Sequence, residues 1–171
     1  NSINFMVKNL LKLSKFDANT VTFKNKEINI SEIIDESVSN VSSLSDLKNV
    51  KVNVINSKDF TISCDFKWHV EAITNILKNA IEHSLENTSV LVKYDTNNVY
   101  SYIEIKDSGT GIKSEDLPHI FERFYNGYNQ SDDSVGIGLA LSKTILDKDG
   151  AKISVESSNT GTVFTIKYFK V

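Results

Sequence analysis

Two asparagines four residues apart in the segment NILKNAIEHS, Asn75 and Asn79, are the first candidates for chemistry. On a helix they share one face, with Glu71 a turn before and Glu82 or His83 a turn after. Ile73, Ile76, Leu77, Ala80 and Ile81 take the opposite face. Amides at helix-turn spacing beside a carboxylate can offer oxygens to Mg²⁺ and N–H donors to phosphate. The same spacing also fits an ordinary solvated helix face. A second candidate is IKDSGTGI, where an alternating run ends in Asp107 and is followed by Gly109 and Gly111. A carboxylate at a strand end can accept a hydrogen bond from an exocyclic amine, and the glycines let backbone approach a flat ring or a phosphate. A tight turn after a strand is the plainer alternative.

In SVGIGLALSKTI, Gly136 and Gly138 precede an amphipathic helix, so free N–H groups and the positive helix end face the glycine turn. A phosphate suits such a place, although a glycine helix cap has the same pattern. The segment follows a long loop late in the chain and lacks a GK[ST] ending, which separates it from the dinucleotide fingerprint and from the P-loop. Between the two glycine motifs, PHIFERFYNG gathers Ile120, Phe121, Phe124 and Tyr125 around Glu122 and Arg123. Arg123 is the only arginine among the 19 basic residues. Its planar, bidentate guanidinium is suited to a terminal phosphate held by those glycines.

These residues need elements to position them. Ile3, Met6, Leu10 and Leu13, with Val7 and Leu11, recur at helical spacing and predict a helix that requires a partner. A polar stretch places the one domain junction between about Ala18 and Lys24. A second helix is expected from Ser31 to Leu47, with Ser31 accepting a backbone bond at its start. Period-two runs at Val50, Val52, Val54 and at Phe60, Ile62, Cys64, around a turn near Asn56 to Asp59, read as a hairpin. The Asn75 helix follows, then strands from Ser89 to Tyr94 and from Val99 to Lys106. After the long loop come a helix from Leu139 to Leu146 and strands from Lys152 to Glu156 and Thr162 to Phe169. The fold class is α/β: a two-layer sandwich of a mixed, largely antiparallel sheet of five to six strands under three helices.

Bulk properties narrow the function classes. A chain of 171 residues holds one main domain and a small appendage. A net charge of -3 supplies no field for nucleic acid or anionic lipid, so neither is an expected partner. The single cysteine, Cys64, excludes an internal disulfide and reads as a buried strand residue. No apolar stretch reaches membrane-spanning length, and the chain itself is expected not to be membrane-bound.

Taken in order, the asparagine helix, DxGxG, FERFY, the GxG helix start and the late turn with Gly161 and Thr162 resemble the histidine kinase catalytic domain of the GHKL ATPase superfamily. The resemblance runs from about Asn29 to the C-terminus, and NLLKLSKFDAN resembles the end of that family's second dimerisation helix. It implies a helix remnant over 1–19, an ATP-binding domain over 24–171 and an ATP lid over about 113–134. The implied cofactors are ATP and Mg²⁺, with Asn79 as metal ligand and Asn75 at the phosphates. Asp107 would read the adenine amine, with Gly109, Gly111 and Thr162 shaping the base pocket. Ile112, Phe124, His83, Gly136, Gly138 and Leu139 complete the implied nucleotide contacts. Arg123, with Asn75, would act on the transferring γ-phosphoryl group.

The implied activity is protein-histidine kinase. Its partners would be a response regulator and the dimerisation domain of the same kinase, in a homodimer whose parent protein sits in the bacterial membrane with this domain in the cytoplasm. His69, His83 and His119 all fall within the catalytic domain, so the chain is expected to bind Mg-ATP without phosphorylating itself. Three departures from the family pattern stand out: Glu82 in place of a basic residue, Ser134 at a glycine position, and Asp149 with Ala151 in place of a His-Gly-Gly turn. A hydrolytic relative would carry a glutamate base where Asn75 stands, and an amide cannot take a proton from water. A nonenzymatic nucleotide-binding or partner-binding module is the third reading.

Overall fold

In a computed structural model, the structure describes residues 2–55, 58–125 and 137–170. Gly136, Ser134 and Asn56, all singled out in the sequence, lie outside the described residues. The elements run α1 (Ser2–Asp17), β1 (Asn25–Asn29), α2 (Ile30–Asn40), α3 (Ser42–Lys48), β2 (Lys51–Ile55), β3 (Thr61–Asp65), α4 (Phe66–His83), β4 (Ser89–Thr96), β5 (Tyr100–Lys106), α5 (Gly138–Lys148), β6 (Lys152–Ser158) and β7 (Gly161–Phe169). The main sheet has the order β2-β4-β5-β7-β6, antiparallel except for the parallel pair β2–β4. β1 and β3 form a separate antiparallel pair. The two-layer α/β class read from the sequence is the one observed.

The hairpin expected between the runs at Val50 and Phe60 does not form. β2 pairs with β4 across the α4 crossover, and β3 turns away to pair with β1, a strand that the polar sequence of Asn25–Asn29 concealed. Period-two alternation assigns a run to a face of a sheet and leaves its partner open, so sequence adjacency misled here. The helix expected from Ser31 to Leu47 divides at Val41, whose backbone leaves the helical region and caps both α2 and α3. Ser31 is not the acceptor at the start of α2. Its N–H and hydroxyl both donate to the Asp59 carboxylate, at 3.1 and 2.6 Å, while the Ile30 N–H donates to the Phe60 carbonyl at 2.8 Å. The cap is therefore supplied by the approach to β3.

α4 is the spine of the helical layer. The Asp65 carboxylate accepts the Trp68 N–H at its start, and Val70, Ile73, Ile76, Leu77, Ala80 and Ile81 are buried against the sheet and neighbouring helices. Burying an aliphatic side chain of this size contributes roughly 1.5–3 kcal/mol. α2 and α5 flank α4, and Cys64 is buried beneath it, where burial pushes its thiol up to about 12.

α1 lies antiparallel to α4. Along the two helices the Lys78 ammonium sits 3.3 Å from the centre of the Phe5 ring, Lys12 pairs with Glu71 at 2.9 Å, and Phe16 meets Trp68 edge-on with ring centres 5.0 Å apart. Leu13 of α1 enters the common core. The other face of α1 keeps Ile3, Val7, Leu10 and Leu11 exposed, from 39% to 62%.

The far end of the helical layer is closed by a buried polar network. His69 bridges the Asp149 carboxylate through Nδ1 at 2.7 Å and the Tyr168 hydroxyl through Nε2 at 2.6 Å, joining α4, the end of α5 and β7. Both His69 and Asp149 are almost fully buried, so removing one strands the other. Asp149→Ala is expected to cost about 3–5 kcal/mol of stability. Denaturant unfolding should show a lower midpoint with an unchanged slope, and a loss below about 1 kcal/mol would mean that the network does not brace the fold.

Candidate functional site

At the opposite end of the sheet, Asp107 follows the last residue of β5, and its backbone N–H donates to the Thr162 carbonyl at 2.9 Å. One carboxylate oxygen, Oδ1, accepts the N–H groups of Gly109 and Thr162, each at 3.0 Å. The other, Oδ2, is buried and has no hydrogen-bond partner. Burial raises the Asp107 pKa above its ordinary value, opposed by the bonds from Thr162 and Gly109 and by the nearby His83.

The glycines allow the walls to close. A Cβ on Gly109 would stand 2.2 Å from the His83 carbonyl, which lets the turn after β5 pair with Ser84 at the end of α4. Gly161, at φ +143°, brings β7 so near that a Cβ would meet the Asp107 carbonyl at 2.3 Å. Ile112 is tied in by its N–H, which donates to Ser157 Oγ at 2.7 Å, and that hydroxyl lies 3.0 Å from Thr162 Oγ1.

The asparagine face of α4 is not solvated. Asn75 and Asn79 are each only 6% exposed, which removes the wet-face reading. Asn75 donates from Nδ2 to the Gly138 carbonyl at 3.4 Å, which seats the first turn of α5 on α4, with Leu139 buried beside it. The structure thus links Asp107, Gly109, Gly111, Ile112, Thr162 and His83 at the end of β5. It links Asn75 with Gly138 along α4, the helix that also carries Asn79.

Two expected site residues sit on the segment after Gly111. Phe124 is exposed and held at φ +63°. Arg123 is not aimed at the asparagines: both terminal guanidinium nitrogens donate to the Asp17 carboxylate at the end of α1, at 2.7 Å each. The physical reason is availability, since Asp17 offers a planar acceptor that matches the guanidinium fork.

A family model described as histidine kinase-, DNA gyrase B- and HSP90-like ATPase matches residues 64–171. The chain belongs to this ATPase family. Among curated proteins it is 32% identical to the sensor protein KdpD of Clostridium acetobutylicum over 93% of this chain and 18% of that protein. It is 29% identical to the sensor histidine kinase GraS of Staphylococcus haemolyticus over 98% of this chain and 49% of that one. The chain therefore spans at most about half the length of these relatives. The fold is similar to that of full-length ShkA solved in complex with AMPPNP, with a TM-score of 0.81 at 20% identity over 96% of this chain and 35% of that one.

Within this ATPase fold, the departures seen in the sequence acquire structural roles. Glu82 lies 3.9 Å from Lys78 on α4, and Asp149 holds His69 at the far end of the layer. Sequence reasoning missed that buried network, because the residues at 69, 149 and 168 are joined only through tertiary contact. It also missed Asp17 as the partner of Arg123.

The buried Asp107 carboxylate has a measurable consequence. Its raised pKa means that the folded chain holds a proton where the unfolded chain has released it. Stability therefore falls as pH rises from the ordinary carboxylate value through the raised one. Asp107→Asn keeps an acceptor for Gly109 and Thr162 and removes the charge. At pH 7, without nucleotide, the variant is expected to unfold at a temperature no lower than the parent chain, with the difference shrinking in acid. A variant clearly less stable at pH 7 would show that the ionised carboxylate supports the fold.

Proposed function

We propose that the chain is the catalytic and ATP-binding domain of a two-component sensor histidine kinase, with residues 1–19 forming the end of the dimerisation helix and 24–171 the catalytic domain. The observation that carries this reading is Asp107 Oδ2, a buried acceptor with no partner, in a wall that Gly109 and Gly161 allow to close. An exocyclic amine such as that of adenine supplies the missing donor. The AMPPNP bound to the fold neighbour ShkA supports an adenine nucleotide as the ligand.

Asn79 would hold Mg²⁺ and Asn75 would donate toward the phosphates, both from a buried helix face. The metal, when bound, would neutralise charge on the phosphate oxygens. With an amide at Asn75 in place of a carboxylate, that position has no base to activate water, so ATP is kept for another nucleophile. Arg123 would act on the γ-phosphoryl group.

None of the histidines suits that role of nucleophile. His69 is buried between Asp149 and Tyr168, His119 pairs with Glu122 and stacks on Tyr125, and the backbone of His83 is fixed against Gly109 at the end of α4. The acceptor is a histidine on the dimerisation domain. The exposed apolar face of α1, with Ile3, Val7, Leu10 and Leu11, supports a homodimer of the full kinase, whose downstream partner is a response regulator. No helix among the described residues is long and apolar enough to cross a membrane, so anchoring would rest on other parts of the parent protein.

With γ-labelled ATP and Mg²⁺, the chain alone is expected to bind saturably and form no acid-labile phosphohistidine. Label should appear on a separately supplied dimerisation domain that carries the acceptor. Stoichiometric label on the chain alone would refute the assignment of the acceptor. Asn79→Ala is expected to abolish Mg²⁺-dependent ATP binding, and unchanged affinity by calorimetry would count against Asn79 as the ligand. Arg123→Ala in the full kinase should slow autophosphorylation by at least about tenfold while changing ATP affinity less. An equal fall in both would make Arg123 a binding residue.

A further inference from the structure

We infer that Asp17 is a positioning residue that holds Arg123 away from the nucleotide, so that contact between this arginine and a terminal phosphate requires it to leave α1. The inference rests on the nucleotide reading above and adds a control on it.

Several observations converge on this pair. Arg123 is the only arginine in the chain, so no second guanidinium stands in for it. Its two terminal nitrogens each meet one oxygen of Asp17 at 2.7 Å, the paired geometry that satisfies the carboxylate and the outer edge of the fork together. The contact joins residues 106 positions apart and ties the segment after Gly111 to the last residue of α1. Each partner raises the preference of the other for its charged form: Arg123 holds the Asp17 carboxyl below its ordinary value, and Asp17 pushes the guanidinium pKa up.

The position of Asp17 is itself fixed. Phe16, its neighbour, packs on Trp68 and Phe23, and Lys12 one turn earlier pairs with Glu71. Trp68 and Asn79 are separated by three turns of α4, roughly 16 Å of helix rise. A guanidinium held at Asp17 is thus anchored near the beginning of α4, whereas the asparagine that would hold the metal lies near its end.

The pair is also open to exchange. The Arg123 and Asp17 side chains are 41% and 55% exposed, so water screens their attraction and a triphosphate can replace the carboxylate as partner. The consequence is directional. While the pair is intact, the γ-phosphate gains nothing from Arg123, and the chain distinguishes ATP from ADP less well than its residues allow. Movement of α1 relative to the catalytic domain would change that distinction without altering the adenine pocket.

The test measures affinity for ADP and for a nonhydrolysable ATP analogue by calorimetry, at fixed Mg²⁺ and ionic strength, in this chain and three variants. Asp17→Asn keeps the size of the side chain and removes its charge. It is expected to tighten analogue binding about threefold to fivefold and leave ADP binding unchanged, a gain on the scale of an exposed ion pair. Asp17→Asn combined with Arg123→Ala should return the ratio of the two affinities to that of the parent chain. Lys12→Gln breaks another contact between α1 and α4 but frees no group near the phosphates. It should leave the ratio unchanged, which separates release of Arg123 from general loosening of α1.

An unchanged ratio in Asp17→Asn, a gain that survives loss of Arg123, or an equal gain in Lys12→Gln would each overturn the inference. Failure of the parent chain to bind either nucleotide would instead overturn the nucleotide reading, and the control with it. Binding of both nucleotides without the predicted shift would leave that reading standing and remove only the role of Asp17.

Discussion

The carboxylate of Asp107 receives two backbone N–H groups from segments more than fifty residues apart in sequence, and most of the site follows from that convergence. To reach this carboxylate, Gly109 lies against the His83 carbonyl and Gly161 against the Asp107 carbonyl, each at a distance that admits no Cβ. The turn after β5, the end of α4 and the start of β7 are thereby locked into one wall. Isolating the second oxygen, Oδ2, in this wall is unfavourable for a charged group, as its raised pKa shows. A hydrogen-bond donor placed against Oδ2 would relieve that cost.

A buried polar network closes the other end. There the His69 ring links Asp149 and Tyr168, and Phe60 packs between Tyr168 and Tyr94. α4 crosses between the two ends and serves both, with buried apolar residues along it and the Asn75 amide turned toward α5. The Asp107 end thus carries an unpaired acceptor while the His69 end closes the core. α1 adds a third relationship. One face packs along α4 through Phe5, Lys12, Leu13 and Phe16, and the other remains apolar and exposed, so the helix is built for two sets of contacts.

The sequence by itself determined the fold class, the helix carrying Asn75 and Asn79, the strand leading to Asp107, and the glycines of the turn. These are local facts, set by periodicity, by the chemistry of side chains a helical turn apart, and by backbone freedom at glycine. The amide at position 75, on which the expected difference from hydrolytic relatives rests, is likewise written in one residue.

Only the tertiary structure decided what depends on partners. Alternation placed Val52 and Ile62 in strands but could not choose between a hairpin and the observed pairing of β2 with β4 and β3 with β1. Ser31 has the chemistry of a helix cap, yet Asp59 arrives from β3 and turns it into a donor. Arg123 has the chemistry of a phosphate ligand, yet it is engaged by Asp17, and His69, Asp149 and Tyr168 meet from three separate elements. A residue type fixes which bonds a side chain can make. Which bond forms is set by the group that packing brings within about 3 Å, and that distance is a property of the whole chain.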